Sequence, residues 1–168
     1  MAVVGGKYGV RVTVGRRAIL EQYFPGLKEV SYRLTSPQDT RYNCIAWAAG
    51  DSTRWWEPSG MGGHYWPSGL PTGKFNGAYN VSWYVEAFKR CGYQACDTEA
   101  PERGFGKVAI FSKGGDGSHA ARQIPDGQWA SKLGRSEDIV HGTLASIEGE
   151  TYGNVFCLLR KPLSFASA

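Results

Sequence analysis

The spacing of apolar and polar residues changes along the chain, and each change marks a different kind of element. RRAILEQYF, residues 16–24, places apolar side chains at helical intervals and predicts a short helix stopped by Pro25. NCIAWAAG, residues 43–50, predicts a second helix, with Asn43 or Thr40 as its cap and Gly50 just past its end. Cys44, Ile45, Ala46, Trp47, Ala48 and Ala49 leave that helix no polar face, the pattern of a helix buried inside a domain. Asn80 caps a third helix, on which Trp83, Tyr84, Ala87, Phe88 and Cys91 share one stripe before Gly92. From Lys107 the pattern shortens to β runs: KVAIFS, SHAARQI, QWASKL and, near the end, NVFCLLR. Between the third and fourth runs, SEDIVHGTLASIEG opens with a Ser-x-Asp/Glu cap signature and predicts another short helix. Helices first and an antiparallel meander afterwards imply an α+β domain, with N-terminal helices packed on the sheet.

One stretch follows neither period. WWEPSGMGGHYWPSGLPTGKFNG, from Trp55 to Gly77, is punctuated by Gly and Pro too often for helix or strand and reads as one long loop. Its aromatic side chains need an apolar surface to lie on. The expected organisation is therefore a single domain over 1–168: a helical part to residue 54, the aromatic loop over 55–79, and a helix plus sheet over 80–168. The chain has no internal repeat, and its length buries a core without help from disulfides or metal.

The third β run can be placed in register from its turn alone. Ile124-Pro125-Asp126-Gly127 fits a type I turn followed by Gly in the left-handed position, which makes a three-residue hairpin loop. Gln123 then pairs with Trp129, Ala121 with Ser131 and His119 with Leu133, so that His119, Ala121, Gln123 and Ser131 share one face. A two-residue loop would turn Ser131 the other way.

Charge and cysteine content narrow the function classes. Nineteen Lys and Arg against fifteen Asp and Glu give a net charge of +4, and no basic run exceeds Arg16-Arg17, so nucleic acid is not an expected partner. Four unevenly spaced cysteines do not read as a disulfide scaffold, and reduced thiols are expected. The N-terminal run MAVVGGKYGVRVTVGRR has no continuous apolar segment behind a basic start, and no stretch has the ~18 apolar residues of a membrane span. A cytoplasmic protein without a membrane partner is the simplest expectation, with export independent of a signal peptide left open.

Among the four thiols, Cys44 alone stands at a helix head, where free N–H groups and the helix dipole favour a thiolate. Cys91 ends a helix, Cys96 follows in a turn or short strand, and Cys157 lies in a core strand. Of the three histidines, His119 is the best placed base: it begins a strand, which fixes its side chain to one face. His64 sits in the glycine-rich loop, and His141 falls in the expected late helix beyond a charged stretch. Ser131 or Gln123 could orient the imidazole. Cys91-x4-Cys96 with His64 lacks the second ligand pair of a structural zinc site, and no metal or cofactor is expected. Gly114-Gly115-Asp116-Gly117 reads as a turn before the His119 strand and not as a phosphate loop.

These residues resemble a family. GFGKVAIFSKGGDGSHAARQIPDGQWASKLG looks like the second half of NlpC-type cell-wall endopeptidases and CHAP amidases: strand, variable loop, strand opening with His, hairpin, strand. YNCIAWAAG resembles the nucleophile helix of the same enzymes. The resemblance implies a papain-like fold and a cysteine-dependent hydrolase cleaving an amide bond of a peptide or protein, as peptidase, amidase or deamidase. Cys44 is then the nucleophile, His119 the base and Ser131 the third residue. Gln38, six positions before Cys44, resembles the oxyanion-hole glutamine of papain. Asn43, Trp47, Trp55, Trp56 and Trp66 would border the substrate groove. The chain departs from the pattern in two places, with Asn43 where NlpC-type enzymes usually carry Asp, and Ser131 where they carry a stronger orienting residue. Similar Cys and His segments also occur in a group of uncharacterised bacterial proteins. The alternative is a degenerate site, leaving a binding or immunity module that uses the aromatic loop as its contact surface. The oligomeric state is left open.

Overall fold

The computed structural model describes residues 13–73 and 78–164. The start of the N-terminal run, on which the signal-peptide reading rests, and residues 74–77 at the end of the aromatic loop lie outside the described residues. In chain order the elements are helix α1 (Val14–Tyr23), a 3-10 turn (Pro25–Glu29), β1 (Tyr32–Leu34), α2 (Cys44–Ala48), β2 (Trp55–Trp56), β3 (His64–Tyr65), α3 (Val81–Arg90), β4 (Gln94–Cys96), β5 (Phe105–Lys113), β6 (Asp116–Gln123), β7 (Trp129–Lys132), β8 (Asp138–His141), a second 3-10 turn (Leu144–Ile147) and β9 (Asn154–Pro162). The expected α+β class holds: among the described residues three helices accompany a seven-stranded antiparallel sheet of order β1-β8-β7-β6-β5-β9-β4.

Strand alternation sorts the core onto the two faces of this sheet. Val108, Ile110 and Ala120 pack with Ile45, Ala46 and Ala48 of α2 and with Val81, Tyr84 and Phe88 of α3. Ala109, Phe111, Ala121, Trp129 and Ile139 pack on the other face with Leu20, Phe24, Leu27, Leu144 and Ile147. The expected N-terminal helices are thus divided between the faces. α1 is also tied to the turn between β7 and β8, where Arg16 Nε donates to Glu137 Oε1 at 2.9 Å and Arg16 Nη2 to Glu137 Oε2 at 2.5 Å.

Local chemistry explains the helix boundaries. Thr13 Oγ1 accepts from the Arg16 N–H, Asn43 Oδ1 from the Ala46 N–H and Asn80 Oδ1 from the Ser82 N–H. Asn43 and not Thr40 caps α2. Five residues make too short a helix to persist alone, so α2 exists because its apolar surface is buried. The turn Gly114-Gly115 joins β5 to β6 with both residues at positive φ, 61° and 87°, the geometry of a tight hairpin.

Two expectations are corrected. The long aromatic loop contains a small parallel ribbon, with Trp55 opposite His64 and Trp56 opposite Tyr65. The late helix does not form as expected: Asp138–His141 is a fully buried strand between β1 and β7, and only Leu144–Ile147 turns, as 3-10. The β-branched Ile139 and Val140 face opposite sides of the sheet, and burial on both faces prevails over the cap signature. Ser136 Oγ is engaged instead with Glu137 and Arg16.

Candidate active site

Cys44 is the first residue of α2 and is half-buried. Burial pushes its thiol up to about 11, against the pull of the main-chain N–H groups of Ala120, Ile45 and Cys44 itself and of the Lys132 ammonium. That ammonium is held in place by three carbonyls, donating to Asp39 O at 2.7 Å, Gly134 O at 2.9 Å and Ser136 O at 2.5 Å.

His119 is fully buried on β6. Its ring stacks on Tyr152 with centroids 4.0 Å apart and planes 8° from parallel, and Phe111 meets its edge at 5.3 Å. Nε2 lies 3.0 Å from Ser131 Oγ, and Nδ1 is buried with no hydrogen-bond partner. Burial holds this imidazole well below its ordinary value, and His141 adds to the effect. The expected hairpin delivers the pair: Ile124 N–H donates to Gln128 O, Gly127 has φ 88°, and Ala121 faces Ser131. Ser131 Oγ is also 2.8 Å from His141 Nε2, and His141 Nδ1 is 2.8 Å from Thr143 O. Burial lowers the His141 imidazole to about 4, with the Thr143 carbonyl working in the opposite direction.

Alternation puts His119, with Phe111 and Ala121, on the sheet face away from α2. Cys44 meets β6 at the N–H of Ala120, beyond Ala121↔Ser131, the last register pair of β6 with β7 on that side. Cys44 therefore meets the main chain of β6 next to His119, whose side chain lies on the other sheet face. Among the described residues no hydrogen bond joins the Cys44 sulfur to His119.

A cavity of about 200 Å³ opens at Cys44, lined by Asn43, Trp55, Glu57, Tyr84 and Ser118 among others. Two of the expected groove residues, Asn43 and Trp55, belong to it. Trp56 is buried with Nε1 donating to Asp51 at 2.9 Å, Trp66 packs edge-on against Tyr84, and Trp47 stacks under the Arg122 guanidinium at 3.8 Å. The first two pin the aromatic segment to the core and Trp47 anchors α2. Gln38 is exposed and its amide reaches Ser136 Oγ at 3.5 Å, so it is not brought to the cavity. Gln123 donates to Glu99 O at 2.7 Å and to Gly127 O at 3.3 Å, which leaves Ser131 as the residue on His119.

Gly117 marks the closest packing of the cavity wall, because a Cβ there would stand 2.2 Å from Tyr84 Cδ2. Gly117→Ala is expected to cost about 1–3 kcal/mol by overpacking and to displace the Tyr84 ring. Urea denaturation of this variant beside Gly117→Ala/Tyr84→Ala, in which the clash is relieved, checks the assignment.

His141 falls in the segment expected to be helical, and the structure places it instead on β8 beside Ser131. Its signal was present in Ile139-Val140, two adjacent β-branched residues just past a glycine-containing turn. His64 turns its Nδ1 to Ser59 Oγ at 3.0 Å and Glu57 Oε2 at 3.3 Å, not to Cys91 or Cys96. Among the described residues no cluster of three or more His, Cys, Asp or Glu is arranged to hold a metal ion, and no helix is long and apolar enough to cross a membrane.

Residues 33–160 match the model of a family described as a domain of unknown function, DUF7689. None of the curated proteins and none of the solved structures matches the chain.

Proposed function

We propose that this chain, which belongs to the DUF7689 family, is a cysteine-dependent hydrolase of papain-like type that cleaves an amide bond. The observation that carries the reading is the division of labour on the His119 ring: Nε2 is held by Ser131, while Nδ1 keeps a buried, unused position. A base needs one nitrogen fixed and the other available. Cys44 supplies the second component, a sulfur at a helix head, where the main-chain groups of Ala120, Ile45 and Cys44 itself favour the anion against burial.

In this mechanism the sulfur, which makes no hydrogen bond to His119 in the resting site, closes on Nδ1 past the end of the β6–β7 ladder and attacks the amide carbonyl as its proton passes to that nitrogen. The Cys44 N–H takes part in holding the resulting oxyanion. Collapse breaks the C–N bond, and the leaving amine takes the proton from His119. Water, deprotonated by the same imidazole, then attacks the thioester carbonyl, releasing the acid and restoring the thiol. An α-amine leaving group makes the enzyme a peptidase or amidase; ammonia from a side-chain amide makes it a deamidase. With the thiol near 11 and the imidazole below its usual range, both partners rest neutral, and proton transfer accompanies attack.

Carbamidomethylation of Cys44 by limiting iodoacetamide, read by peptide mass mapping, tests the pair. With His119 as base the wild-type rate should be nearly flat from about pH 6 to 9, and His119→Ala should lower it at least about tenfold at pH 7. A wild-type rate climbing with pH toward the intrinsic value of the thiol, unchanged by the substitution, rejects the dyad.

One observation favours a different reading. A thiol pushed up to about 11 remains protonated at neutral pH, and a protonated Cys44 beneath Trp55 and Tyr84 makes a binding pocket and not a nucleophile. In that reading the chain is a degenerate papain-like binding or immunity module, and the unresponsive labelling just described is its expected result.

A further inference from the structure

The hydrogen bonds behind His119 have only one consistent direction. Thr143 O, a carbonyl, can only accept, so His141 Nδ1 at 2.8 Å must carry a proton. Ser146 does not alter this, because its Oγ donates to the same carbonyl at 2.6 Å and can only accept from His141 Nδ1 at 3.3 Å. A neutral His141 then has a bare Nε2, which accepts the hydroxyl proton of Ser131 across 2.8 Å. With its proton committed there, Ser131 Oγ offers only lone pairs toward His119, so the atom at 3.0 Å must be Nε2–H. A neutral His119 with its proton on Nε2 has a bare lone pair on Nδ1. Tyr152 and Phe111 cover the ring without offering Nδ1 a partner.

We infer that His141 is a positioning residue that acts through Ser131 to fix His119 in the Nε2–H tautomer, keeping Nδ1 unprotonated and free to accept a proton. This rests on the reading of His119 as the base. It also accounts for a serine where a stronger orienting group is expected: the serine relays direction, and the histidine behind it sets that direction. The three residues occupy neighbouring strands β6, β7 and β8 on one sheet face, and the Thr143 carbonyl anchors the far end.

Imidazole nitrogen NMR on the ¹⁵N-histidine-labelled full chain reads the tautomers without any substrate. The expected wild-type result is Nε2–H with bare Nδ1 at His119, and Nδ1–H with bare Nε2 at His141. In His141→Phe the Ser131 hydroxyl has no acceptor behind it, turns toward His119, and shifts that ring to the Nδ1–H form. His141→Gln, whose side-chain carbonyl can accept from Ser131, should restore Nε2–H at His119. Cys44 labelling should follow the same order, falling about tenfold in His141→Phe and returning in His141→Gln. A wild-type His119 carrying its proton on Nδ1 overturns the inference even if neither variant folds. So does a folded His141→Phe with an unchanged His119 tautomer. If the tautomers are as expected while Cys44 labelling ignores both His119 and His141, the relay stands and the hydrolase reading fails.

Discussion

Asn43→Ala is expected to destabilise the protein by roughly 2–4 kcal/mol, the combined effect of a lost helix cap and of buried main-chain groups left without partners. Asn43 is buried and its amide has two tasks. Oδ1 accepts from the Ala46 N–H at 3.1 Å and from the Trp56 N–H at 3.3 Å, while Nδ2 donates to Trp56 O at 2.7 Å. One side chain therefore closes the head of the Cys44 helix and clamps the aromatic segment to it. Asp at this position would keep both acceptor functions but would set a carboxylate oxygen against the Trp56 carbonyl in place of a donor. Asn43→Asp should accordingly lose about 1–2 kcal/mol despite a favourable charge at the helix head. Asn rather than Asp at this residue thus has a local cause in the Trp56 main chain that it clamps. Urea denaturation of the two variants checks the ranking, and an Asn43→Asp protein more stable than wild type would contradict it.

Acidification should destabilise the protein through its buried histidines before the carboxylates held below their ordinary range titrate. His141 is fully buried and lowered to about 4, so the unfolded chain binds this proton more readily than the folded one. Stability is then fully present above the ordinary histidine value near 6.5 and is lost as pH falls toward 4, by roughly 3 kcal/mol from this group. His119 is shifted in the same direction and adds to the loss in the same window. Carboxylates held below their ordinary range, such as Glu137 with Arg16 and Ser136, lose their contribution only at lower pH. Urea midpoints at about pH 7, 5.5 and 4.5 should fall steadily, and the His141→Gln variant should show a shallower fall. Equal midpoints across that range would mean that the two rings are not held neutral by burial.

Features set by short-range chemistry were legible in the chain. Asn43 announces a helix head because its side chain can satisfy a free N–H. Pro125-Asp126-Gly127 fixes the loop length, hence the Ala121↔Ser131 register and the approach of Ser131 to His119. Features set by distant partners were not. β1 and β4 have three residues each and exist because β8 and β9 offer edges to pair with. β8 reads as a helix start until its two buried faces are known. A sequence offset could not direct the amide of Gln38, which is drawn to Ser136 in the turn between β7 and β8. Nor could the pattern tell which sheet face α2 covers, so the approach of Cys44 from the edge of β6 had no sequence signature.

The diagonal from His119 through Ser131 to His141 crosses two turns, Ile124–Gln128 and Leu133–Glu137, each closed by main-chain hydrogen bonds. Side chains alternate between faces at every residue, so inserting or deleting one residue in either turn sends one member of the trio through to the other side of the sheet. Substitution within these turns and change of their length should therefore differ sharply: a substitution leaves the parity intact, while a length change that shifts the strand register by an odd number of residues severs the connection.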